Sequence, residues 1–351
     1  PVLFISGQVK SKETTIQSGQ PLRGFGVQEL DILPIVDSIT KAAHFIDSTE
    51  KYYKTIGEIK DILLCGRPGP VWIDIPMDMQ STEITDKKPG LRLRHKKDPV
   101  MKPNETDLQV VSETILECSK PVILAGNGLR LSNKAKGVPV LQEISERHAI
   151  PIVSTYLAND LFPASFKNYF GVVGVKAARR ANIIVNNADT VISIGSRLAT
   201  SVIGFEYEKF APEAKIYVID IDRVEHSKQT LAAFDLIHSD CYEFLEAIKP
   251  RLGDIEHEKW LCSCQNLKAF LPIQEQHSPE GYVSIYDVVK LICETAGNFD
   301  TVVSDAGSSY YVSSIMFRRT HSQRYVTSGA QADMGFSLPA AIGCSFANPG
   351  T

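Results

Sequence analysis

Pro121-Val122-Ile123-Leu124-Ala125-Gly126-Asn127-Gly128 and, further along, Thr190-Val191-Ile192-Ser193-Ile194-Gly195-Ser196-Arg197 share one form: a mostly apolar run that ends in a glycine-bearing turn. Such short apolar runs, bounded by turn signals and lacking polar alternation, read as strands buried on both faces. Sheets of that kind are parallel and covered by helices. The surrounding sequence agrees. An amphipathic helix is expected over Leu108–Cys118, a second helix over Val140–His148 and a third that includes Asn182–Asn186, with further strands over Ile150–Ser154, Lys215–Asp220 and Asp235–His238. Residues 105–274 therefore read as a doubly wound, Rossmann-like sheet. Ligands of such sheets sit at the carboxyl ends of the strands, where loop amides and helix N-termini can meet phosphate.

The flanking regions repeat the α/β logic. Residues 1–85 offer an opening strand, Pro1 to Ser6, a loop holding Gly26-Val27-Gln28-Glu29-Leu30-Asp31, and a short helix near Ile32–Ile39 with Pro34 in its first turn. A helix over Glu50–Leu64 places Tyr53, Ile56, Ile59, Ile62 and Leu63 near one face, and Gly66 stops it. Arg67-Pro68-Gly69-Pro70 then makes a stiff turn into a strand, Val71–Ile75. Residues 86–104 form a basic, proline-punctuated stretch with Lys87, Lys88, Arg92, Arg94, His95, Lys96 and Lys97; without interleaved aromatic residues it reads as a solvated linker. Residues 275–351 add a linker (275–280), a helix over Ser284–Ala296, a strand over Thr301–Ser304, the turn Asp305-Ala306-Gly307-Ser308-Ser309, a strand over Tyr325–Ser328 and a helix over Phe336–Asn348. The fold class expected is α/β, in three doubly wound parallel-sheet units. The first and last are expected to be incomplete, because the chain opens inside a strand and stops at a turn.

At about 150 residues per domain, 351 residues suggest two to three domains. Lysine and arginine number 37 against 41 acidic residues, a formal charge of -4. That balance argues against nucleic acid or an anionic membrane as the main partner. No apolar run is long enough to span a bilayer. Seven scattered cysteines fit a reducing, cytoplasmic setting, and the Cys262-x-Cys264 pair lacks the further ligands of a zinc site.

Several residues carry both a chemical and a bland reading. Gly126-x-Gly128 lacks the third glycine of a dinucleotide fingerprint. Asp220 and Asp222 could bond a ribose or, as turn carboxylates, cap the following helix. Arg67 is a rigid, permanently charged fork suited to phosphate, or a surface ion pair. Glu29 and Asp31 could move protons or simply complement a helix N-terminus. The stretch Ser328-Gly329-Ala330-Gln331-Ala332-Asp333-Met334-Gly335-Phe336 places small residues before a helix, where backbone can approach a ligand and Met334 can pack on a heterocycle.

Taken together, Ile5-Ser6-Gly7-Gln8-Val9, Gln28-Glu29, Ile39-Thr40-Lys41, Gly66 to Pro76 and Met334-Gly335-Phe336-Ser337-Leu338-Pro339 resemble the acetolactate synthase group of thiamine-diphosphate enzymes. The resemblance implies that residues 1–85 belong to a pyrimidine-binding domain, 105–274 to a central domain and 275–351 to a diphosphate-binding domain. It implies thiamine diphosphate with Mg2+, a 2-keto acid donor, a second carbonyl acceptor, and a homodimer or homotetramer. Gly307, Ser308 and Ser309 would lie near the diphosphate. Ala332, Met334 and Gly335 would lie near the aminopyrimidine, and Gln28 would line the cleft. In flavin-bearing relatives, Arg67, a loop Gly171-Val172-Val173-Gly174 (with Gly171 and Gly174), Asp220 and Asp222 fall at FAD contacts. The family's activating glutamate and magnesium motif would lie outside residues 1–351, so a fragment without activity of its own is expected, with no metal ligand in it. Pro76-Met77-Asp78 replaces the synthases' Pro-Lys-Asp, and Arg197-Leu198-Ala199-Thr200-Ser201 replaces their Arg-Phe-Asp-Asp-Arg. A non-catalytic flavin- or nucleotide-binding or regulatory homologue is the alternative.

Overall fold

In a computed structural model, which describes residues 2–84, 99–274, 280–298, 300–320 and 322–348, the two quoted runs are adjacent parallel strands. The basic stretch Lys87–Lys97 and residues 275–279 of the second linker lie outside the described residues. The chain divides into two units, Pro1–Val100 and Met101–Thr351. That division falls within the expected first linker.

The second unit holds a six-stranded, all-parallel sheet: β4 (Pro121–Ala125), β5 (Ile152–Ser154), β6 (Tyr169–Val172), β7 (Thr190–Ile194), β8 (Lys215–Asp220) and β9 (Asp235–His238), in the order β6-β5-β4-β7-β8-β9. Side chains alternate faces along a strand, and here both faces are buried. Ile123, Ala125, Ile192, Ile194, Tyr217 and Ile219 feed one core, with the Glu105–Glu117, Gly137–His148 and Cys241–Ile248 helices over it. Val122, Leu124, Val191, Ile216 and Val218 feed the other, under the Arg179–Asn186 and Glu258–Phe270 helices. Each buried Val or Ile contributes about 1.5–3 kcal/mol. This two-sided demand is why the runs show no polar alternation.

Some expectations change. Gly171 lies inside β6 rather than in a loop, and the Ala42–Phe45 strand and the Cys241–Ile248 and Glu258–Phe270 helices had no clear sequence signal. Cys262 is exposed and Cys264 buried on one helix, so the pair points to different surroundings and cannot share a ligand.

The glycines at the ends of β4 and β7 have a structural use. Gly126 N–H donates to the Ile194 carbonyl and Gly128 N–H to the Gly195 carbonyl, both at 2.8 Å. A Cβ on Gly128 would stand 2.6 Å from Gly195 Cα, and one on Gly126 would overlap the Gly195 carbonyl. Two turns meet backbone to backbone where the strand order reverses.

Within the same unit, β10 (Thr301–Ser304) and β11 (Arg324–Thr327) form a two-stranded parallel sheet. Asp160, buried beside the central sheet, bonds Arg130, the Arg324 side chain at 3.0 Å and the Tyr325 N–H at 3.0 Å. A buried carboxylate without partners would be costly, and this one ties β11 to the larger sheet.

The first unit is a three-stranded parallel sheet, β1 (Leu3–Gln8), β3 (Val71–Pro76) and β2 (Ala42–Phe45), in that order. Ile46, Val71 and Ile73 pack with Ile59 of the Thr49–Leu64 helix, whose first turn is capped by the Ser48 side chain. Pro34 sits within the first two positions of the Leu33–Asp37 helix, where no backbone donor is needed.

The glycine contacts are testable by unfolding in urea. Gly126→Ala is expected to lower stability by about 1–3 kcal/mol or more through overpacking. Gly57→Ala, inside the Thr49–Leu64 helix with nothing within 4 Å of the new methyl group, is expected to raise it by about 0.4–1 kcal/mol. Equal stability of the wild type and Gly126→Ala would refute the packing account.

Candidate functional site

Because β10 and β11 run parallel in register, Thr301 opposite Arg324 and Ser304 opposite Thr327, the chain leaves both strands at one edge. Asp305 follows β10, the Ser328–Gly335 turn follows β11, and the Asp305 carboxylate joins them. Its Oδ2 accepts the Ser337 N–H at 2.9 Å, and its Oδ1 accepts the Ala306 N–H at 2.9 Å and the Gly335 N–H at 3.0 Å. The amides of Ser337, Ala306 and Gly335 hold this carboxyl well below the usual carboxylate range. It is therefore ionised throughout the neutral range, and the two turns are pinned together.

The pinned turns carry the expected cofactor residues. Gly307 has φ +68° and ψ -139°, a conformation that suits glycine and little else. The Ser308–Met316 helix starts immediately after it with no side-chain cap, so the first-turn N–H groups of Ser308 and Ser309 have no intrahelical acceptor. Across the edge, Gly335 has φ +85° and Ala332 φ +55°. A left-handed alanine costs roughly 1–2 kcal/mol; its N–H donates to the Ser328 carbonyl at 2.8 Å. Met334 is 91% exposed. Gly329 passes so close to the central sheet's flank that a Cβ there would stand 2.7 Å from Leu157. Gly307, Ser308, Ser309, Ala332, Met334 and Gly335 thus share one strand-end surface. It offers uncapped amides suited to an anion and a thioether suited to a ring face.

In the first unit, Gln28 is exposed at φ +66°. Its neighbour Glu29 stitches the loop: Oε1 accepts the Thr15 N–H and hydroxyl, and Oε2 accepts the N–H groups of Phe25 at 2.6 Å and Gly26 at 3.1 Å. Partial desolvation would raise the Glu29 pKa, but these hydrogen bonds outweigh it and bring it down to about 2. Thr15 opens a four-residue helix, so the helix-terminus reading describes Glu29 better than proton transfer does. Arg67 is exposed and lines an open cleft of about 560 Å³ with the 38–41 and 65–70 segments.

Of the residues expected at flavin contacts, those of the central sheet are largely engaged by their own surroundings. Asp220 accepts the Asp222 N–H at 2.9 Å and lies 3.4 Å from the buried His226 Nε2. Asp222 accepts the Glu225 N–H at 3.0 Å at the start of a short 3-10 helix, the capping alternative. Gly174, at φ +147°, leaves no room for a Cβ between the Ser201 carbonyl and the Tyr156 ring. Gly171, at φ +106°, has more space, its nearest contact being Ala178 at 3.5 Å.

Sequence reasoning placed Asp305 in a turn but gave it no role. The available signal was an aspartate at the carboxyl end of a strand ahead of Ala-Gly, a setting in which a carboxylate accepts turn amides.

Residues 108–248 match the family described as the thiamine pyrophosphate enzyme central domain, and residues 305–351 match the thiamine pyrophosphate enzyme C-terminal TPP binding domain. The chain is 30% identical over 367 residues to a probable acetolactate synthase large subunit of Methanocaldococcus jannaschii, covering 99% of this chain and 59% of that protein. It is 28% identical over 358 residues to an acetolactate synthase of Mycobacterium bovis, covering 100% and 56% respectively. An acetolactate synthase large subunit of Lactococcus lactis is 30% identical over 329 residues, with 92% and 55% covered. The chain therefore spans between 55% and 59% of the length of these relatives.

The Glu29 bonds define a pH test. With its folded pKa lowered, Glu29 contributes stability that is present above its ordinary value of 4.5 and lost as pH falls towards about 2. Hydrogen exchange is expected to show the Thr15, Phe25 and Gly26 amides protected above pH 4.5 and progressively released below it. In Glu29→Gln the release should no longer follow that window. An unchanged profile in the variant would contradict the assignment.

Proposed function

The chain belongs to the thiamine pyrophosphate enzymes, and from that membership we propose that it forms part of an acetolactate synthase-like carboligase. The reaction proposed joins a 2-keto acid of the pyruvate type, after loss of its carboxyl group as CO2, to a second carbonyl compound. The observation that carries this reading is the Asp305 clamp, which holds a glycine turn, an uncapped helix start and an exposed methionine on one strand-end surface. That surface fits the two ends of the cofactor: amides for a diphosphate and an apolar prop for a ring.

Bound thiamine diphosphate supplies the electron sink for breaking the bond next to a 2-keto group. The chain's own residues bind and orient. In this proposal the Ser308 and Ser309 N–H groups hold diphosphate oxygens, and Gly307 lets the backbone come close to them. The backbone of Ala332 and Met334 would face the aminopyrimidine, with Gly335 beside them, and the Met334 side chain would support the cofactor. Asp305 touches no substrate and fixes the spacing of these groups. Gln28 is proposed to line the catalytic cleft. Mg2+ is part of the proposal through the family; among the described residues no trio of His, Cys, Asp or Glu side chains could hold a metal.

A homodimer or homotetramer belongs to the same reading. Leu338, Ile342 and Phe346, one helical turn apart on the Ser337–Ala347 helix, are 71%, 51% and 81% exposed, an apolar stripe suited to a further protein surface. A cytoplasmic location is proposed from the cysteine usage, seven scattered residues and so an odd number. Among the described residues no helix is long and apolar enough to cross a membrane.

A flavin or nucleotide on the central sheet is a second reading. It is favoured by the strand order β6-β5-β4-β7-β8-β9, which is that of dinucleotide-binding sheets. Weighing against a fingerprint role, Gly126 and Gly128 are used by the contact with Gly195. A flavin absorption band in the full-length protein without pyruvate turnover would favour this reading.

The main proposal is tested on the full-length gene product with pyruvate, thiamine diphosphate and magnesium, by CO2 release and product identification. Asp305→Ala is expected to weaken cofactor binding by about tenfold or more, as for a lost charge-assisted hydrogen bond. Met334→Ala should slow turnover while changing stability by no more than about 0.5 kcal/mol, as an exposed side chain should. Undiminished cofactor affinity and turnover in both variants would sink the site assignment.

A further inference from the structure

Burying a cation away from water without a carboxylate beside it is costly, and folded proteins rarely tolerate it. One buried and two half-buried cations gather at the outer edge of β6. Arg180 is 8% exposed; its Nε donates to the Phe170 carbonyl at 2.9 Å and its Nη1 approaches the Leu271 carbonyl at 3.5 Å. Lys268 donates to the Tyr169 carbonyl at 2.9 Å, and its ammonium stands 5.3 Å from the Phe170 ring centre. Arg318 donates to the Ile315 carbonyl at 3.0 Å and the Phe317 carbonyl at 3.1 Å.

These bonds cover outward-facing carbonyls of an edge strand and a helix C-terminus, which explains the donors but not the charge. Among the described residues no carboxylate pairs with any of the three. Arg318 repels Arg180, and both repel Lys268, while Arg318 itself faces the Tyr169 hydroxyl and the Cys293 thiol. Burial and then the repulsion of Arg318 bring Arg180 down to about 10, and burial followed by Arg180 and Arg318 brings Lys268 down to about 8. Among the described residues the cluster is short of negative charge.

A cleft of about 590 Å³ opens beside it. Arg180 and the exposed Lys176 line it, as do Leu271 and Ile315, whose carbonyls Arg180 and Arg318 address. The remaining wall is mixed: Arg179 and Ser284 are polar, and Pro272, Ile273 and the Tyr286 ring form an apolar side. Ile315 lies at the C-terminal end of the Ser308–Met316 helix, the opposite end from the amides assigned above to the diphosphate.

We propose that this cleft binds a phosphate-bearing organic anion. Its charge is met by Arg180 and Lys176 with Arg318 and Lys268 behind them, and its organic part rests on Pro272, Ile273 and Tyr286. Phosphate rather than a single carboxylate matches the several positive charges, and arginine forks suit its oxygens. The cleft is separate from the cofactor surface, so the inference stands whether or not the carboligase reading does.

The test uses the full-length protein saturated with thiamine diphosphate and magnesium, so that the cofactor's own anion site is filled. Phenyl phosphate, inorganic phosphate and phenol are titrated calorimetrically, and the acylation rate of Lys268 is followed by mass spectrometry. Phenyl phosphate is expected to bind more tightly than inorganic phosphate, with no binding of phenol. Its presence should slow Lys268 acylation, because a bound anion favours the protonated amine. Lys176→Ala, at the exposed rim, should weaken binding by roughly threefold, the scale of a partly exposed ion pair. Arg180→Gln should weaken it further; if that variant fails to fold, Lys176→Ala and the Lys268 rate still decide. No saturable binding, or binding that leaves both the Lys268 rate and the Lys176→Ala affinity unchanged, overturns the proposal.

Discussion

Every described strand pairs in parallel, so within each sheet the chain must leave all strands at the same edge and return over a face. That constraint organises the rest. It buries both faces of the central sheet, which demands unbroken apolar strands. It also collects the connecting turns at one edge, where close approaches and uncapped helix starts accumulate. At β4 and β7 the turns meet directly, and only glycine fits. At β10 and β11 they are held together by a carboxylate.

The contrast between these two edges is informative. Gly126, Gly128 and Gly195 satisfy one another through backbone hydrogen bonds and contact, so their glycine content is explained without a ligand. Gly307 and Gly335 are different, since nothing lies within 4 Å of a Cβ built on either. Their positive φ angles open the backbone outward beside an uncapped helix. Glycines that face space rather than protein are the ones that a ligand can use.

Much of this was legible in the sequence. Pro121–Ala125, Thr190–Ile194, Lys215–Asp220, Asp235–His238 and Thr301–Ser304 form strands with the expected bounds, the first three because two-sided burial writes itself into composition. The β6 strand was not legible: Tyr169-Phe170-Gly171-Val172 holds a glycine at φ +106° and read as part of a loop. The Cys241–Ile248 helix was obscured by its shortness, although Asp240 caps it. Asp305 shows a deeper limit. Its partners Gly335 and Ser337 are about thirty residues away in sequence, and no local pattern records a bond of that span. The gathering of Arg180, Lys268 and Arg318 was likewise invisible, since their lack of acidic partners among the described residues is a property of packing.

The central claim is that the turns after β10 and β11 form one preorganised cofactor surface. Hydrogen exchange of the full-length protein, with and without thiamine diphosphate and magnesium, tests it most directly. The account predicts that the cofactor slows exchange together at Ser308 and Ser309 and at Ala332 to Gly335. Protection confined to other segments, with both turns exchanging at the same rate in either state, would contradict it.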